Sequence, residues 1–540
     1  MGKSSPLSAR QMTFFFLSWA VIFGLIVRFM PVIRAGFPLN DGGLFLSMAR
    51  DIKIANYALP AYTSYNGGHI PLVYPPLSFF LLSYISDISG FSPLFILRWL
   101  PPLISSLTIP VFFIFAKHIL QSSTQAGLAS IAFALLPNSF LWMIMGGGIT
   151  RSIGFFMSLL TLYFVHHLYS EEKWRYVLFT ILSASLLVLS HPEWTIHTFF
   201  ITLIFWLFGC RTKKSIGYSL LVGMGIILLT SPWWTTVIRQ HGLTPFLSAS
   251  RTGYQNIVNL LPILMLTFSN EPYFNIITTL GVMGILVEVS KKRYELLSWL
   301  IIPFIIDPRT AGGTAIPPLA IFASIGMTQM VIPALICLRS VKSKWLNEVY
   351  ESDNWITQAW NDKLSKVVLG FFMVYTLLGG FAYSIIVTNI HLSEEHRQAF
   401  DWVITNTPIE SHFVIISGES SFISPVQEWF PALTQRVSLG TLQGTEWLPG
   451  DIFHTSLLTS DDLQACAYST VSCLDNWTKQ SDSTLDYVYL YQGPIYDLEI
   501  SDPREGKGTL LSYSLQASPE YQAVYRSTHV TIYKRISSKP

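Results

Sequence analysis

The sequence predicts an α-helical polytopic membrane protein of about eleven transmembrane helices with a small C-terminal α/β extracytoplasmic domain. Composition is the first reason. Of 540 residues, 51% are hydrophobic and only 12% charged, with a mean hydropathy of +0.44, outside the usual range of soluble globular chains. Alternation is the second. Short basic loops recur between apolar stretches, at Arg211 with Lys213 and Lys214, at Lys291 to Arg293, and at Arg339 with Lys342 and Lys344. The intervening loops instead hold a lone acid or arginine among glycines, prolines and aromatics. The third reason is a change to soluble-type composition near residue 390.

Each element follows from these patterns. Residues 11–30 form the first span: Lys3 and Arg10 precede it and no small-residue cleavage site follows, so it reads as an uncleaved helix. The further apolar stretches are 94–118, 125–143, 151–169, 174–190, 193–209, 215–232, 273–289, 294–306, 316–338 and 366–389. With the N-terminus cytoplasmic, loops 119–124, 170–174, 210–214, 290–293 and 339–365 place most Lys and Arg inside, as expected of a bacterial plasma-membrane protein. Parity makes 75–90 a juxtamembrane or re-entrant helix, because as a lone span it would turn the basic loops outward. The same argument leaves 256–268 out of the spans.

The expected division is a membrane unit, 1–389, with outer loops 31–93 and 233–272, followed by an outward domain, 390–540. In the first outer loop, Leu44, Phe45, Met48 and Ile52 share one face of a helix, with Arg50, Asp51 and Lys53 elsewhere. That is the pattern of a helix lying on the membrane surface. In the outward domain, Ser393 with Glu394 and Glu395 opens a helix that Thr407-Pro408 ends. Phe413–Ile416, Tyr487–Tyr491, Tyr521–Tyr525 and Val530–Tyr533 read as strands, the last two as a hairpin. Cys210 and Cys337 adjoin basic loops, where they stay reduced. Cys466 and Cys473 are expected to form a disulfide in an oxidising compartment, or else are two buried thiols.

Ionisable groups at a membrane surface are costly unless they serve a site, so their gathering on one face points to an active site there. Asp41, in Asn40-Asp41-Gly42-Gly43, has the position of a general base or metal ligand, and equally that of a helix N-cap. Arg151 ends a turn that opens with Gly146-Gly147-Gly148; its fork of donors matches the phosphate of a lipid-linked donor, unless it only snorkels to headgroups. Arg309 and Arg251 make similar offers. His191 and Glu193 flank Pro192 and, with Asp307 and Tyr74, are candidate contacts for sugar or acceptor; Pro followed by an acid also simply begins helices. Aromatics including Tyr62, Tyr65, Trp194, Trp233 and Trp234 suit an interfacial belt and also stacking on sugar rings. No Asp-x-Asp pair occurs in the outer loops, so a divalent metal is left open as a cofactor. The net charge of +2, spread through short loops, excludes nucleic acid as an expected partner; the bilayer is the expected one.

The first-loop acid, the Tyr74-Pro75-Pro76-Leu77 turn, the Gly-rich turn ending in Thr150-Arg151 and the outward C-terminal domain together resemble the GT-C superfamily of polytopic membrane glycosyltransferases. That group includes oligosaccharyltransferase catalytic subunits, protein O-mannosyltransferases and bacterial aminoarabinose transferases. The resemblance implies that the first-loop acid, here Asp41 alone, lies at the catalytic centre. It also implies a polyprenyl-phosphate-linked sugar donor reached from the membrane, and an acceptor, unspecified, on the outer face. Several members carry an acid in the second outer loop, where Gly146–Arg151 has none. The competing class is a transporter or flippase, or a non-catalytic assembly subunit, for lipid-linked sugars. Transporters place ionisable groups near the midplane, whereas here they lie at one interface.

Overall fold

The computed structural model describes residues 8–209, 211–252, 261, 267–339, 362–421, 423–481, 483–496 and 508–536. Cys210, Lys342, Lys344 and most of 256–268 lie outside them, as do the side chains of Cys337 and Arg339.

Ser8 opens α1 (Ala9–Ala35) with a capping box to Gln11, and Gly36 closes it in the left-handed conformation. The first long loop contains α2 (Gly43–Ile54), a strand pair, β1 (Tyr62–Thr63) with β2 (Ile70–Pro71), and α3 (Leu77–Ser89). There follow α4 (Pro93–Leu120), α5 (Ser123–Leu135), α6 (Gly148–Glu171), α7 (Trp174–Val188) and α8 (Pro192–Phe208). Next come α9 (Lys213–His241), the short α10 (Thr244–Arg251), α11 (Ile276–Ser290) and α12 (Glu295–Ile306). A π turn (Met327–Val331) joins α13 (Ala311–Gly326) to α14 (Ile332–Arg339), and α15 (Lys363–Thr388) completes the bundle.

Among the described residues, six helices are long and apolar enough to cross a membrane: α1, α4, α6, α9, the α13–α14 unit and α15. The other segments read as spans, α5, α7, α8, α11 and α12, are only 12 to 17 residues long. A bilayer core needs about 20 residues of helix, so the count of about eleven is not confirmed. The stretch 125–143 shows one cause of shortening. Its helix stops at Leu135, because Pro137 lacks the amide that would continue it, and residues 137–139 form a 3₁₀ turn instead.

One charge lies deep in the bundle. Arg28 of α1 is fully buried, and its guanidinium donates to Ser105 Oγ (3.0 Å), Ser139 Oγ (3.1 Å), the Ala134 carbonyl (2.7 Å) and the Gly24 carbonyl (3.0 Å). Acceptors supplied by three segments replace water around the cation and tie α1 to α4 and to the end of α5.

The C-terminal part contains α16 (Glu394–Asn406), β3 (His412–Ile416), α17 (Pro425–Thr434) and β4 (Val437–Ser438). After these come α18 (Ile452–Ala465), α19 (Val471–Gln480), β5 (Tyr487–Tyr491), α20 (Thr509–Ala517), β6 (Tyr521–Arg526) and β7 (Val530–Arg535). The sheet has the order β4-β3-β5-β7-β6, with β3 parallel to both neighbours and β7 antiparallel to both of its own. Cys466 and Cys473 are joined by a disulfide, with Cα atoms 5.6 Å apart.

α2 is covered by protein on more than its apolar stripe. Leu44, Met48 and Ile52 are buried as their periodicity requires, but Leu46, Ala49 and Asp51 are buried as well, because α3 and α17 cover α2 from different sides. Asp51 accepts from Thr63 Oγ1 (2.6 Å), Ser64 N (2.8 Å) and Ser64 Oγ (2.6 Å), which pins the β1 turn to the helix. One apolar core therefore runs from Phe37, Leu46 and Phe79 to Phe400, Trp429 and Ile532. The first loop and the C-terminal elements pack as a single body.

Candidate active site

Asp41 sits in the turn between α1 and α2. It is not a helix cap: Gly42 occupies the N-cap position of α2, with no side-chain capping bond. The carboxylate faces the other way. Oδ1 accepts from the Gly147 amide at 2.8 Å, and Oδ2 accepts from Arg151 Nη2 at 2.6 Å. Glycine is required on that wall. A Cβ on Gly147 would stand 2.5 Å from Asp41 Oδ2, and one on Gly146 would stand 1.9 Å from the Asp41 carbonyl oxygen. The Gly146 amide also donates to the Leu39 carbonyl (2.8 Å), so the two loops are locked backbone to backbone.

Arg151 stands in the first turn of α6, over the ring of Trp142 at 5.4 Å. Its Nη1 is buried and has no hydrogen-bond partner among the described residues. The Asp41 and Arg151 side chains keep 16% and 25% of their surface exposed, enough for a ligand to reach the pair. Tyr74 extends the wall: its hydroxyl lies 3.4 Å from Thr150 Oγ1, and its ring meets His191 at 6.2 Å and Trp447 at 6.0 Å. Burial raises the Tyr74 phenol above its ordinary range, so it stays neutral.

A second cluster lies beside the first. Glu193 pairs with Arg309, whose amide and neighbouring Thr310 hydroxyl are both held by Asp307 (3.2 and 2.8 Å). Glu193 also interacts electrostatically with Arg151, which links the two clusters. His191 takes the blander of its two roles: Nδ1 accepts from the Trp194 amide (3.4 Å) and caps α8. Arg251 makes no ion pair with either cluster among the described residues, and meets the second only through Glu446. It lines a cleft of about 330 Å³ with Ser248, Glu446, Asp451 and His454. Among the described residues, no group of three or more His, Cys, Asp or Glu side chains is arranged to hold a metal ion.

Two acids of the C-terminal part, outside the candidate residues singled out in the sequence, join this region. Glu428 of α17 is buried, and its Oε1 accepts from the Gly42 amide at 2.8 Å. Burial, and then the Asp41 charge, push its carboxyl up to about 8. Glu446 accepts from the Gly444 amide (2.8 Å), and burial pushes its carboxyl up to about 7 against the pull of Arg309. The available signal was an acid flanked by aromatics, in Glu428-Trp429-Phe430 and Glu446-Trp447, where an ordinary surface acid has polar neighbours.

No family model and no curated protein matches the sequence. Solved structures do. The chain superposes on the arabinofuranosyltransferase AftD from Mycobacteria with a TM-score of 0.58 at 13% identity, covering 98% of this chain and 40% of AftD. It superposes on ArnT from Cupriavidus metallidurans bound to undecaprenyl phosphate with a TM-score of 0.58 at 13% identity, covering 96% of this chain and 98% of ArnT. The fold is GT-C-like. The apo state of the same ArnT gives a TM-score of 0.54 at 12% identity. The likeness to AftD spans less than half of that protein, whereas ArnT is matched almost end to end, so the GT-C-like fold here extends through the C-terminal part.

Proposed function

We propose that this protein is an integral membrane glycosyltransferase that moves a sugar from a polyprenyl-phosphate-linked donor to an acceptor on the outer face of the membrane. The observation that carries the reading is the Asp41–Arg151 pair in its glycine-walled turn, with Arg151 Nη1 buried and unpartnered. A phosphate oxygen would satisfy that nitrogen. As the guanidinium turns to the donor phosphate, Asp41 Oδ2 is released to accept a proton from the acceptor hydroxyl. The acceptor oxygen then bonds to the anomeric carbon, the bond from that carbon to phosphate breaks, and Arg151 and Arg309 stabilise the departing lipid phosphate. That ArnT has been seen with undecaprenyl phosphate supports a donor of this class.

The test is direct. Reconstituted protein supplied with undecaprenyl-phosphate-linked sugars should release free undecaprenyl phosphate in step with sugar transfer. No release from any such donor would remove the proposal. Arg151→Lys retains charge and loses the planar fork. Its donor KM should rise about tenfold, the loss of one charge-assisted hydrogen bond of about 1.5 kcal/mol. An unchanged KM would take phosphate binding away from Arg151.

Orientation forms part of the proposal: N-terminus cytoplasmic, with residues 390–540 outside. A thiol introduced at 440–450 should react with an impermeant maleimide from outside in intact cells, and one at 342–344 should not. The reverse pattern would place the site on the cytoplasmic face.

A further inference from the structure

We propose that Glu428, carried on α17 of the C-terminal part, is the positioning residue of Asp41: by binding the amides at the start of α2 it holds the turn that aims the Asp41 carboxylate into the site. This rests on the reading of Asp41 as the proton acceptor. Oε1 of Glu428 takes the Gly42 amide at 2.8 Å, and the Leu44 amide also donates to this carboxyl. Neighbouring bonds clamp the same stretch. Trp429 Nε1 donates to the Asn40 carbonyl (2.8 Å), Tyr65 Oη to the Glu428 carbonyl (2.8 Å) and Arg50 Nη1 to the Ala432 carbonyl (2.8 Å). Asp41 is thus gripped from two directions: its side chain by the α6 turn, and the residues on either side of it by α17.

The two acids are unequal. Asp41 carries the ion pair with Arg151, whereas Glu428 is deeply buried and, among the described residues, its carboxyl takes its hydrogen bonds from backbone amides. The charged and titratable groups around Glu428 are Asp41 from the first loop, Arg151 from α6, and Tyr65 and Arg50 from the segment covering α17. Burial and the Asp41 charge favour the neutral form of its carboxyl, and ionisation at alkaline pH would put a second negative charge beside Asp41 to repel an anionic donor.

The test uses the full-length protein in detergent, with transfer from an undecaprenyl-phosphate-linked sugar measured across pH. Glu428→Ala removes the acceptor of the Gly42 amide, and its kcat should fall about tenfold or more with donor KM little changed. Glu428→Gln restores an oxygen acceptor without a titrating proton. It should recover kcat to within about threefold, and should lack the alkaline rise in donor KM expected of the wild type. Wild-type kcat in Glu428→Ala overturns the proposal, and so does an alkaline rise in KM that persists in Glu428→Gln. If Glu428→Ala does not fold, Glu428→Asp, whose carboxyl falls one methylene short of the Gly42 amide, takes its place with the same expected fall in kcat and the same overturning result. An inactive Asp41→Asn beside a fully active Glu428→Ala removes the positioning role only, whereas full activity in both removes the reading of the site itself.

Discussion

Asp41→Asn should fold normally and lose on the order of a hundredfold or more of its transfer rate. Structure and chemistry separate cleanly at this residue. Asn has the same shape, and its Oδ1 still accepts the Gly147 amide. No cap is lost, because α2 begins without one. The other branch becomes an N–H₂ group facing Arg151 Nη2, now 2.6 Å from an acceptor, so donor meets donor and the basicity is gone. Folded yield by size-exclusion chromatography and transfer from a polyprenyl-linked donor should be measured on one preparation. Full transfer would end the catalytic assignment, and loss of folded protein would make Asp41 a structural residue.

Gly146→Ala should be severely damaging for the addition of a single methyl. Its Cβ would stand 1.9 Å from the Asp41 carbonyl oxygen and 3.2 Å from Pro38 Cβ, neither of which is the free end of a flexible chain. Moving the Gly146 backbone away would break its amide bond to Leu39 and unseat the Gly147 amide from Asp41. Overpacking of this kind costs about 1–3 kcal/mol or more, and relief of the clash pulls the Asp41–Arg151 pair apart. A lower melting temperature with activity near background is expected. Gly217→Ala, in α9 with nothing within 4 Å of the added carbon, is the control and should be neutral or slightly stabilising. Wild-type melting and transfer in Gly146→Ala would mean that the two loops do not meet as described.

Much of this was readable from residues alone, for local reasons. Helices show their period, so every stretch read as a span contains a helix, though that of 125–143 stops at Leu135, and the strands near 413, 487, 521 and 530 follow from dense β-branched and aromatic residues. Asp41, Arg151, Glu193 and Arg309 stood out because charges are scarce in an apolar chain, and the structure groups them as two linked pairs. What was not readable depends on distant partners. Asp41 has the sequence neighbours of an N-cap, and only the arrival of Gly147 and Arg151 turns its carboxylate elsewhere. Glu428 lies in a soluble-type stretch where acids are common, and nothing nearby shows that its partner is Gly42. Arg28 was hidden inside an apolar run, and its acceptors come from other segments.

The core shared by the first loop and the C-terminal elements bears on biosynthesis. Gly42 leaves the ribosome 386 residues before Glu428, which is roughly 20 to 80 s of synthesis at about 5–20 residues per second. Through that interval Leu46, Met48 and Phe79 lack the Phe400, Trp429 and Phe430 side chains that complete their core. The loop bearing Asp41 must wait, partly unpacked, until Phe400, Glu428 and Trp429 have been made and delivered to the same side of the membrane. A chain cut short before Glu428 would therefore insert its helices and never assemble the turn at Asp41, so the later-made part licenses the earlier one. Quality control at the membrane then has a simple mark of an unfinished molecule, an exposed apolar first loop.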